Sequence, residues 1–341
     1  MDKHSAAVEQ MFAMVRMGLW GEGRVPGAGL PSGNGWEAII AEAGRQGVQG
    51  LFCEGVRMLP ASQMPPAQLR MALLLNCDAL ERRSRHVDST AEDLLERFRS
   101  AGLAPVVQKG PAVARYYPEP FLRKSGDIDL YFPPGQFERA KALAGTWAEI
   151  LDEPDGSVCY TFADVTVEHH NRFFDSKAQF DGIGPESPEA AVLLQITHIL
   201  KHSLGPGIGL KQICDYAVAT RRVLPECDIP VLASCIRGAH LQRWLGRLDS
   251  FINTFLGVPD GELLTTKAGF RRHSPAPLLE IVLQGGEFGH YNPFRKIMAS
   301  PRLRKLNTAR FFFQRLPFAL STAPGEWWHT FSMLIKGNLT H

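Results

Sequence analysis

Two aspartates separated by one residue, Asp127 and Asp129, are the residues best suited to chemistry in this sequence. The run Asp-Ile-Asp-Leu-Tyr-Phe begins by alternating acidic and apolar side chains, the pattern of a half-buried strand. Residues i and i+2 of a strand project from the same face, so the two carboxylates lie side by side. Neighbouring carboxylates repel, and Mg²⁺, which prefers oxygen ligands, relieves that repulsion. The spacing indicates a magnesium site, although two acids on a solvent-facing strand give the same motif.

A third acidic residue, Glu168, lies in a second strand-like run, Val165-Thr166-Val167-Glu168. The two valines alternate with Thr166 and Glu168, so Glu168 points away from the core, as a metal ligand at the edge of a site must. Three carboxylates from two neighbouring strands would form the two-metal clamp that serves phosphoryl transfer.

Basic and small residues flank the aspartate pair and suit phosphate binding. Lys109-Gly110 ends one predicted strand, and Arg123-Lys124-Ser125-Gly126 leads directly into Asp127. A glycine lets a phosphate approach the backbone, a lysine neutralises its charge, and Ser125 with the Gly126 backbone can hydrogen-bond it. Metal carboxylates beside a phosphate cradle are the components of phosphoryl or nucleotidyl transfer.

Three stretches of the chain resemble one protein family. They are Gln108-Lys109-Gly110-Pro111-Ala112, then Arg123-x-Ser125-Gly126-Asp127-Ile128-Asp129-Leu130, then Val167-Glu168-His169-His170. Together they resemble the bacterial uncharacterised nucleotidyltransferase family of the DNA polymerase β-like superfamily. The stretch from His198 to Asp215 is similar to that family's helical region.

The resemblance implies a role for each matching residue. Asp127 and Asp129 would be the Mg²⁺ ligands, and Glu168 the third carboxylate, as a ligand or as the base on the acceptor hydroxyl. The residues implied to face or brace the nucleotide are Lys109, Gly110, Arg123, Ser125, Gly126, Lys201, His202, Lys211 and Asp215.

The implied reaction is attack by an acceptor hydroxyl on the α-phosphorus of a nucleoside triphosphate, with release of pyrophosphate. ATP is the expected donor, with one or two Mg²⁺ ions as cofactor. This chain has Lys109-Gly110 where the superfamily usually has Gly-Gly or Gly-Ser, so its donor binding can differ from that of better-known relatives.

Two pairs of histidines invite a metal interpretation. His198 and His202 are four residues apart on a predicted helix, but Ile199 replaces the glutamate of an HExxH motif and no third ligand is evident. Polar groups lining the cleft, or buried core histidines, are therefore favoured over a zinc site. His169 and His170 point to opposite faces of their strand, and His170, which shares the face of Glu168, is the better cleft candidate.

The elements that position these residues predict an α+β fold. Helices are expected over the first hundred residues, among them a long helix from Pro66 to Phe98 that stops at Gly102. The middle third predicts a small mixed or antiparallel sheet, from strands near Ala104–Gln108, Asp127–Phe132, Ser157–Ala163 and Val165–Asn171, with a helix over Gln136–Leu151. Further helices are predicted over Glu189–Leu204, Leu210–Val223, Ile229–Leu256 and Pro277–Leu283.

We accordingly divide the chain into three parts. Residues 1–102 form an N-terminal helical region, residues 103–185 the nucleotidyltransferase module, and residues 186–341 a C-terminal helical region with a basic tail.

That basic tail, residues 288–325, contains no acidic residue and places seven basic side chains near three phenylalanines. They are Arg295, Lys296, Arg302, Arg304, Lys305, Arg310 and Arg315, with Phe311, Phe312 and Phe313. The segment is compatible with binding RNA, an anionic membrane surface or an acidic partner. A helix that packs its phenylalanine face on the body is favoured, because a single-stranded nucleic-acid platform needs exposed aromatics beside the charge.

Composition excludes several classes of protein. The 341 residues include 37 Lys and Arg against 35 Asp and Glu, a net charge of +2 that argues against a strongly basic polyanion binder. Hydrophobic residues at 45% and charged residues at 21% exclude wholesale disorder.

Six cysteines without CxxC spacing indicate reduced thiols rather than a zinc site. No apolar stretch is long enough to span a membrane, so the expected location is cytoplasmic and not integral to a membrane.

Three functions stay open on the sequence alone. The first is Mg²⁺-dependent nucleotidyl transfer to a small molecule, peptide or protein. The second is transfer to the end of an RNA, for which the basic tail is the motive. The third is a regulatory nucleotide-binding protein that does not turn over.

Overall fold

A computed structural model of the protein describes residues 3–21, 29–30, 35–153, 155–174, 176–205, 207–291 and 313–339. Within them lies a mixed sheet of five strands: β1 (Val106–Val107), β2 (Asp127–Tyr131), β3 (Leu151–Asp152), β4 (Val158–Phe162) and β5 (Val165–His170). The strand order is β1-β2-β5-β4-β3. The pair β2–β5 is parallel, and the other neighbouring pairs are antiparallel.

Helices supply the rest of the described architecture. Before the sheet lie α1 (Lys3–Trp20), α2 (Gly35–Arg45), α3 (Gln49–Arg57) and α4 (Ala67–Ser100), and between its strands α5 (Pro111–Ala114) and α6 (Phe137–Ala144). After it come α7 (Pro188–Leu204), α8 (Leu210–Arg222), α9 (Ile229–Gly238), α10 (Gln242–Leu256), α11 (Leu264–Ala268), α12 (Ala276–Gly285), α13 (Leu316–Thr322) and α14 (Pro324–Leu339). The predicted α+β class is confirmed.

The apolar residues of β2, the strand that carries Asp127 and Asp129, pack against the long helix α4. Ile128 and Leu130 of β2 are fully buried, and they share a small hydrophobic core with Leu94 and Phe98 of α4 and with Val167 of β5. Alternation along β2 therefore sends Asp127, Asp129 and Tyr131 to the opposite face of the sheet. That face looks toward the rest of the protein, because Tyr131 belongs to the larger core.

The larger core unites helices from both ends of the chain. Its buried members include residues of α1, α2 and α3 together with residues of α7, α8 and α10. At the end of α1, the Arg16 side chain donates a hydrogen bond of 2.9 Å to the Phe255 carbonyl, and the Trp20 indole donates one of 2.6 Å to that of Leu256. The N-terminal and C-terminal helices thus form one packed body beside the sheet.

Two predicted helices differ from the structure. The helix expected over Gln136–Leu151 ends at Ala144, because Leu151 and Asp152 pair with β4 as the edge strand β3. The helix expected over Ile229–Leu256 is divided into α9 and α10, with His240 between them at a φ of 57°. A positive φ is incompatible with a continuous α-helix, so the chain turns there.

Two further observations bear on the sequence-based expectations. Among the described residues, no helix is both long enough and apolar enough to cross a membrane. Residues 292–312, which carry most of the basic tail, lie outside the described part of the chain, so the ligand of that tail stays a prediction.

Candidate active site

The parallel pairing of β2 and β5 brings Asp129 and Glu168 side by side. Asp129 is the register partner of Glu168, and Tyr131 that of His170, so these side chains share one face of the sheet. One ligand atom from each of Asp129, Glu168 and His170 lies within 4.8 Å of the other two. We call these three residues the carboxylate–histidine cluster.

Asp129 is the most buried acid of the cluster and has a lysine and a histidine as close neighbours. It is 6% exposed, and its Oδ1 lies 3.1 Å from Lys109 Nζ and 2.9 Å from His170 Nε2. Burial by itself would raise the pKa of Asp129, but Lys109, His170 and the nearby His198 outweigh burial and hold that pKa well below its usual range. Asp129 is therefore an anion at neutral pH.

The pKa of Glu168 is shifted in the opposite direction from that of Asp129. Its side chain is 37% exposed, and one of its oxygens, Oε2, lies 3.5 Å from His170 Nε2. Burial raises the pKa of Glu168, and the Asp129 charge raises it further, with partial opposition from His170 and Lys109. Two carboxylates on adjacent strands thus have their proton affinities moved in opposite directions.

Asp127 shares the face of the cluster but lies outside it. It begins β2 opposite Thr166 and is half-buried. Its negative charge is one of the influences that raise the pKa of Glu168, after burial and Asp129. Asp127 starts the strand, two register pairs before Asp129, and so lies apart from the cluster that His170 completes. Its predicted role as a metal ligand stays a prediction.

The Lys109-Gly110 corner joins β1 to α5 directly beside β2. Gly110 has φ 55° and ψ −111°, a conformation that disfavours any residue with a Cβ atom. A Cβ placed there would lie 3.4 Å from the Asp127 carbonyl oxygen. The backbone of Gln108 donates to the Asp129 carbonyl at 3.0 Å, and its side chain donates to that of Phe173 at 2.6 Å. The corner is thereby tied to β2 and to the segment that follows β5, and Lys109 lies beside Asp129.

The loop before β2 is held from inside the protein. Arg123 is 6% exposed and forms a two-pronged pair with Asp215 of α8, through Nε to Oδ1 at 3.0 Å and Nη2 to Oδ2 at 2.6 Å. Ser125 is buried, and its Oγ accepts from Arg123 Nη1 at 3.3 Å. Gly126 is exposed, with open space around its Cα. Of the three residues predicted here, Gly126 is exposed, whereas Arg123 and Ser125 are buried.

The remaining predicted nucleotide residues lie in α7 and α8. Lys201 Nζ lies 4.0 Å from Asp155 Oδ2, and the His202 ring contacts the His198 ring at 4.5 Å between centroids. Lys211 Nζ lies 2.9 Å from Glu287 Oε1, away from the cluster. Of the residues predicted in these helices, Lys211 and Asp215 each have a buried, charged partner supplied by the protein.

The two histidines of β5 face opposite ways, as their alternation predicts. His169 is fully buried against Phe98 and Phe132, and its Nε2 shares a hydrogen bond of 2.9 Å with Tyr160 OH. Burial lowers the pKa of His169 to about 3, so the ring is neutral. His170 joins the cluster.

The sequence was also compared with known protein families. The sequence model of a family described as uncharacterised nucleotidyltransferase matches residues 32–257, about two thirds of the chain. The chain belongs to that family. No curated protein and no solved structure matches it significantly. The matched range contains α2 to α10 and the whole sheet, while α1 precedes it and α11 to α14 follow it.

The donor set of this nucleotidyltransferase fits a hard divalent cation. Asp129 and Glu168 offer carboxylate oxygens, which Mg²⁺ and Mn²⁺ prefer, and His170 offers a nitrogen that Mn²⁺ accepts as well. Asp127 lies on the same face of the sheet, outside the cluster. The Lys109 charge and the hydrogen bond with His170 favour the ionised form of Asp129, which is the state a ligand requires.

Sequence reasoning missed several residues that shape the nucleotidyltransferase site. Tyr117 OH donates to Asp215 Oδ1 at 2.6 Å, and Ser84 Oγ donates to the Arg123 carbonyl at 3.2 Å. Neither lies in a recognisable motif, and each meets a partner that is distant in sequence. No local pattern marks such a residue.

Proposed function

We propose that this nucleotidyltransferase transfers a nucleoside monophosphate from a nucleoside triphosphate to a hydroxyl of a small molecule, peptide or protein, with release of pyrophosphate. The observation that carries the proposal is the register of β2 and β5, which sets Asp129 beside Glu168 in a chain of this family. ATP is the first donor to test, and Mg²⁺ is the proposed cofactor. The six unpaired cysteines support a cytoplasmic location.

The proposed reaction forms one bond and breaks one. The acceptor oxygen bonds to the α-phosphorus, the bond from the α-phosphorus to the bridging oxygen breaks, and the electron pair leaves with pyrophosphate. Glu168, the more exposed carboxylate of the cluster, takes the hydroxyl proton. Mg²⁺, when bound by Asp129 and Glu168 with Asp127 on the same face, supplies charge neutralisation for the phosphate oxygens.

Residues of the Lys109-Gly110 corner and of the loop before β2 would hold the triphosphate. Lys109 already lies 3.1 Å from Asp129, so its ammonium group is in place to neutralise phosphate beside the metal. The open space at Gly126 leaves the backbone of this exposed residue accessible to a phosphate. Arg123 acts from behind this loop, because its guanidinium is buried against Asp215.

A polar cavity on the opposite side of the cluster is the proposed acceptor site. It has a volume of about 100 Å³, and its lining includes His170, Ser157 of the β4 side, Lys201 of α7, and His329 and Thr330 of α14. Attacking and leaving oxygens stand roughly in line across the α-phosphorus. Since the strand order puts Lys109 on the β1–β2 side and this cavity on the β5–β4 side, the acceptor would enter opposite the pyrophosphate.

The decisive experiment measures pyrophosphate release and transfer of label from α-labelled nucleoside triphosphates with Mg²⁺ and a panel of acceptors. Asp129→Asn and Glu168→Gln should each lower transfer by at least ~100-fold, because each removes charge at the reacting phosphate. Asp164→Asn is the matched control, since Asp164 is an exposed acid at the tip of the β4–β5 turn. Transfer that survives in both cluster variants would contradict the proposal.

The same assay separates the other two functions. Labelling of an RNA 3′ end that weakens steeply with added salt would favour the RNA enzyme. Nucleotide binding without pyrophosphate release for any acceptor would favour the non-catalytic regulator.

A further inference from the structure

Arg123 and Asp215 form the most completely satisfied buried ion pair beside the metal strand. They are 92 residues apart in sequence, and their side chains are 6% and 3% exposed. The two hydrogen bonds, 3.0 Å from Nε and 2.6 Å from Nη2, use both carboxylate oxygens of Asp215. Tyr117 adds a third hydrogen bond of 2.6 Å, from its hydroxyl to Oδ1. Such a two-pronged pair is rigid as well as strong.

The partners of this pair leave it no surface for a nucleotide. The third nitrogen of the guanidinium, Nη1, donates to the Lys124 carbonyl at 3.1 Å and to Ser125 Oγ at 3.3 Å. All three guanidinium nitrogens of Arg123 therefore have partners within the protein. A direct contact between Asp215 and phosphate would also set two anions against each other.

The Nη1 bonds extend the pair into the loop that precedes β2. Ser84 of α4 closes the same loop from the other side: its Oγ donates to the Arg123 carbonyl at 3.2 Å and accepts from the Ser125 backbone at 3.4 Å. The backbone from residue 123 to residue 125 is thereby held by α8 and α4 together. Only Gly126 separates this loop from Asp127.

We propose that Asp215 and Tyr117 are positioning residues that act through Arg123 to fix the metal-binding carboxylates of β2. This inference rests on the proposed function, because it assumes that β2 carries the metal ligands. The helical body thus takes part in the site by orienting the strand that binds the metal. Neighbours that orient a metal's ligands commonly contribute ten- to hundred-fold to its affinity.

The test is the affinity of the full-length protein for Mn²⁺, measured by electron paramagnetic resonance without nucleotide. Asp215→Asn keeps the size of the side chain but turns an amide toward Arg123, so Mn²⁺ should bind about tenfold more weakly. Tyr117→Phe retains the ion pair and removes one donor, so a loss of about threefold is expected. The milder variant decides the question if Asp215→Asn does not fold.

Asp249→Asn is the matched control for loss of stability. Asp249 of α10 is also a fully buried aspartate, and it accepts from Tyr216 OH at 2.6 Å and from the Thr265 backbone at 2.7 Å. It has no hydrogen bond to the loop before β2 among the described residues. Its substitution should lower the melting temperature while leaving Mn²⁺ affinity unchanged.

Three outcomes would overturn the inference, and they can be told apart. Wild-type affinity in folded Asp215→Asn and Tyr117→Phe would refute the positioning role and leave the metal site intact. Equal weakening by Asp249→Asn would show a general effect of stability. A wild-type protein that binds no Mn²⁺ would refute the metal site itself, and the proposed function with it.

Discussion

At the residue scale, one carboxylate oxygen organises the cluster. Asp129 Oδ1 lies 3.1 Å from Lys109 Nζ and 2.9 Å from His170 Nε2. Because both groups approach the same oxygen, they orient the carboxylate as well as keep it ionised. Glu168, its neighbour across the ladder, is more exposed and has a raised pKa, chiefly through burial. Two carboxylates of one cluster thus differ in proton affinity because their surroundings differ.

Gly110 provides a prediction at the same scale. Its φ of 55° with ψ of −111° is strained for any residue with a Cβ atom, and that atom would lie 3.4 Å from the Asp127 carbonyl oxygen. We expect Gly110→Ala to lower the free energy of unfolding by about 1–3 kcal/mol. Urea denaturation measures the change.

Gly184→Ala is the control for this substitution. Gly184 does not have a positive φ, and no atom would lie within 4 Å of an added Cβ. Its replacement should change stability by less than about 0.5 kcal/mol. Equal effects of the two substitutions would show that backbone conformation at Gly110 carries no special cost.

At the scale of elements, the β4–β5 hairpin sets the register that places Glu168 and His170. The turn has two residues, Ala163 and Asp164, with φ values of 47° and 61°. Two positive φ values in a two-residue hairpin loop are typical of a type I′ turn, which suits the twist of the strands. Slippage by one residue would turn Glu168 toward the core.

The first turn residue is not optimal for this conformation, which yields a second prediction. Alanine at φ 47° is strained, whereas asparagine tolerates the left-handed region. Ala163→Asn should therefore raise the free energy of unfolding by about 0.5–1 kcal/mol, and Ala163→Val should lower it by at least about 1 kcal/mol. The side chain is exposed and the His86 contact is to the backbone oxygen, so neither substitution removes a contact. Equal stabilities of the two variants in urea would contradict the assignment of the turn.

At the scale of the whole molecule, Glu287 connects parts of the chain that lie far apart in sequence. Its carboxylate lies 2.5 Å from Lys124 in the loop before β2 and 2.9 Å from Lys211 of α8. Burial by itself would raise the pKa of Glu287, but the two lysines lower it to about 2. An unfolded glutamate has a pKa of about 4.3, so the folded state favours the ionised form.

The pH dependence follows from that difference. A group whose pKa is lower in the folded state stabilises the protein above its unfolded pKa, and the contribution disappears as pH falls through the folded pKa. Glu287→Gln should therefore cost about 1–2 kcal/mol at pH 7, and the cost should diminish between pH 5 and about pH 2. Urea denaturation at pH 7, 5 and 3 measures it.

Glu138→Gln serves as the control for the Glu287 prediction. Glu138 is exposed on α6, and its substitution should have little effect at any of these pH values. A difference between wild type and Glu287→Gln that stays constant from pH 7 to pH 3 would exclude the proposed ionic contribution.

The sequence by itself determined the local features of the site. Strict alternation in Asp127-Ile128-Asp129-Leu130 fixed which face of β2 carries carboxylates, because strand geometry has a period of two. The same rule separated His169 from His170. Family motifs identified the nucleotidyltransferase chemistry, since they lie within short continuous segments.

Only the tertiary structure decided which distant residues meet. It paired Arg123 with Asp215 across 92 residues, brought His170 together with Asp129 and Glu168, and joined both ends of the chain in one core. It also ended a predicted helix at Ala144, because Leu151 and Asp152 pair with β4 instead of continuing the helix. Periodicity reports the environment within an element, whereas these outcomes depend on packing between elements, for which a single sequence carries no local signal.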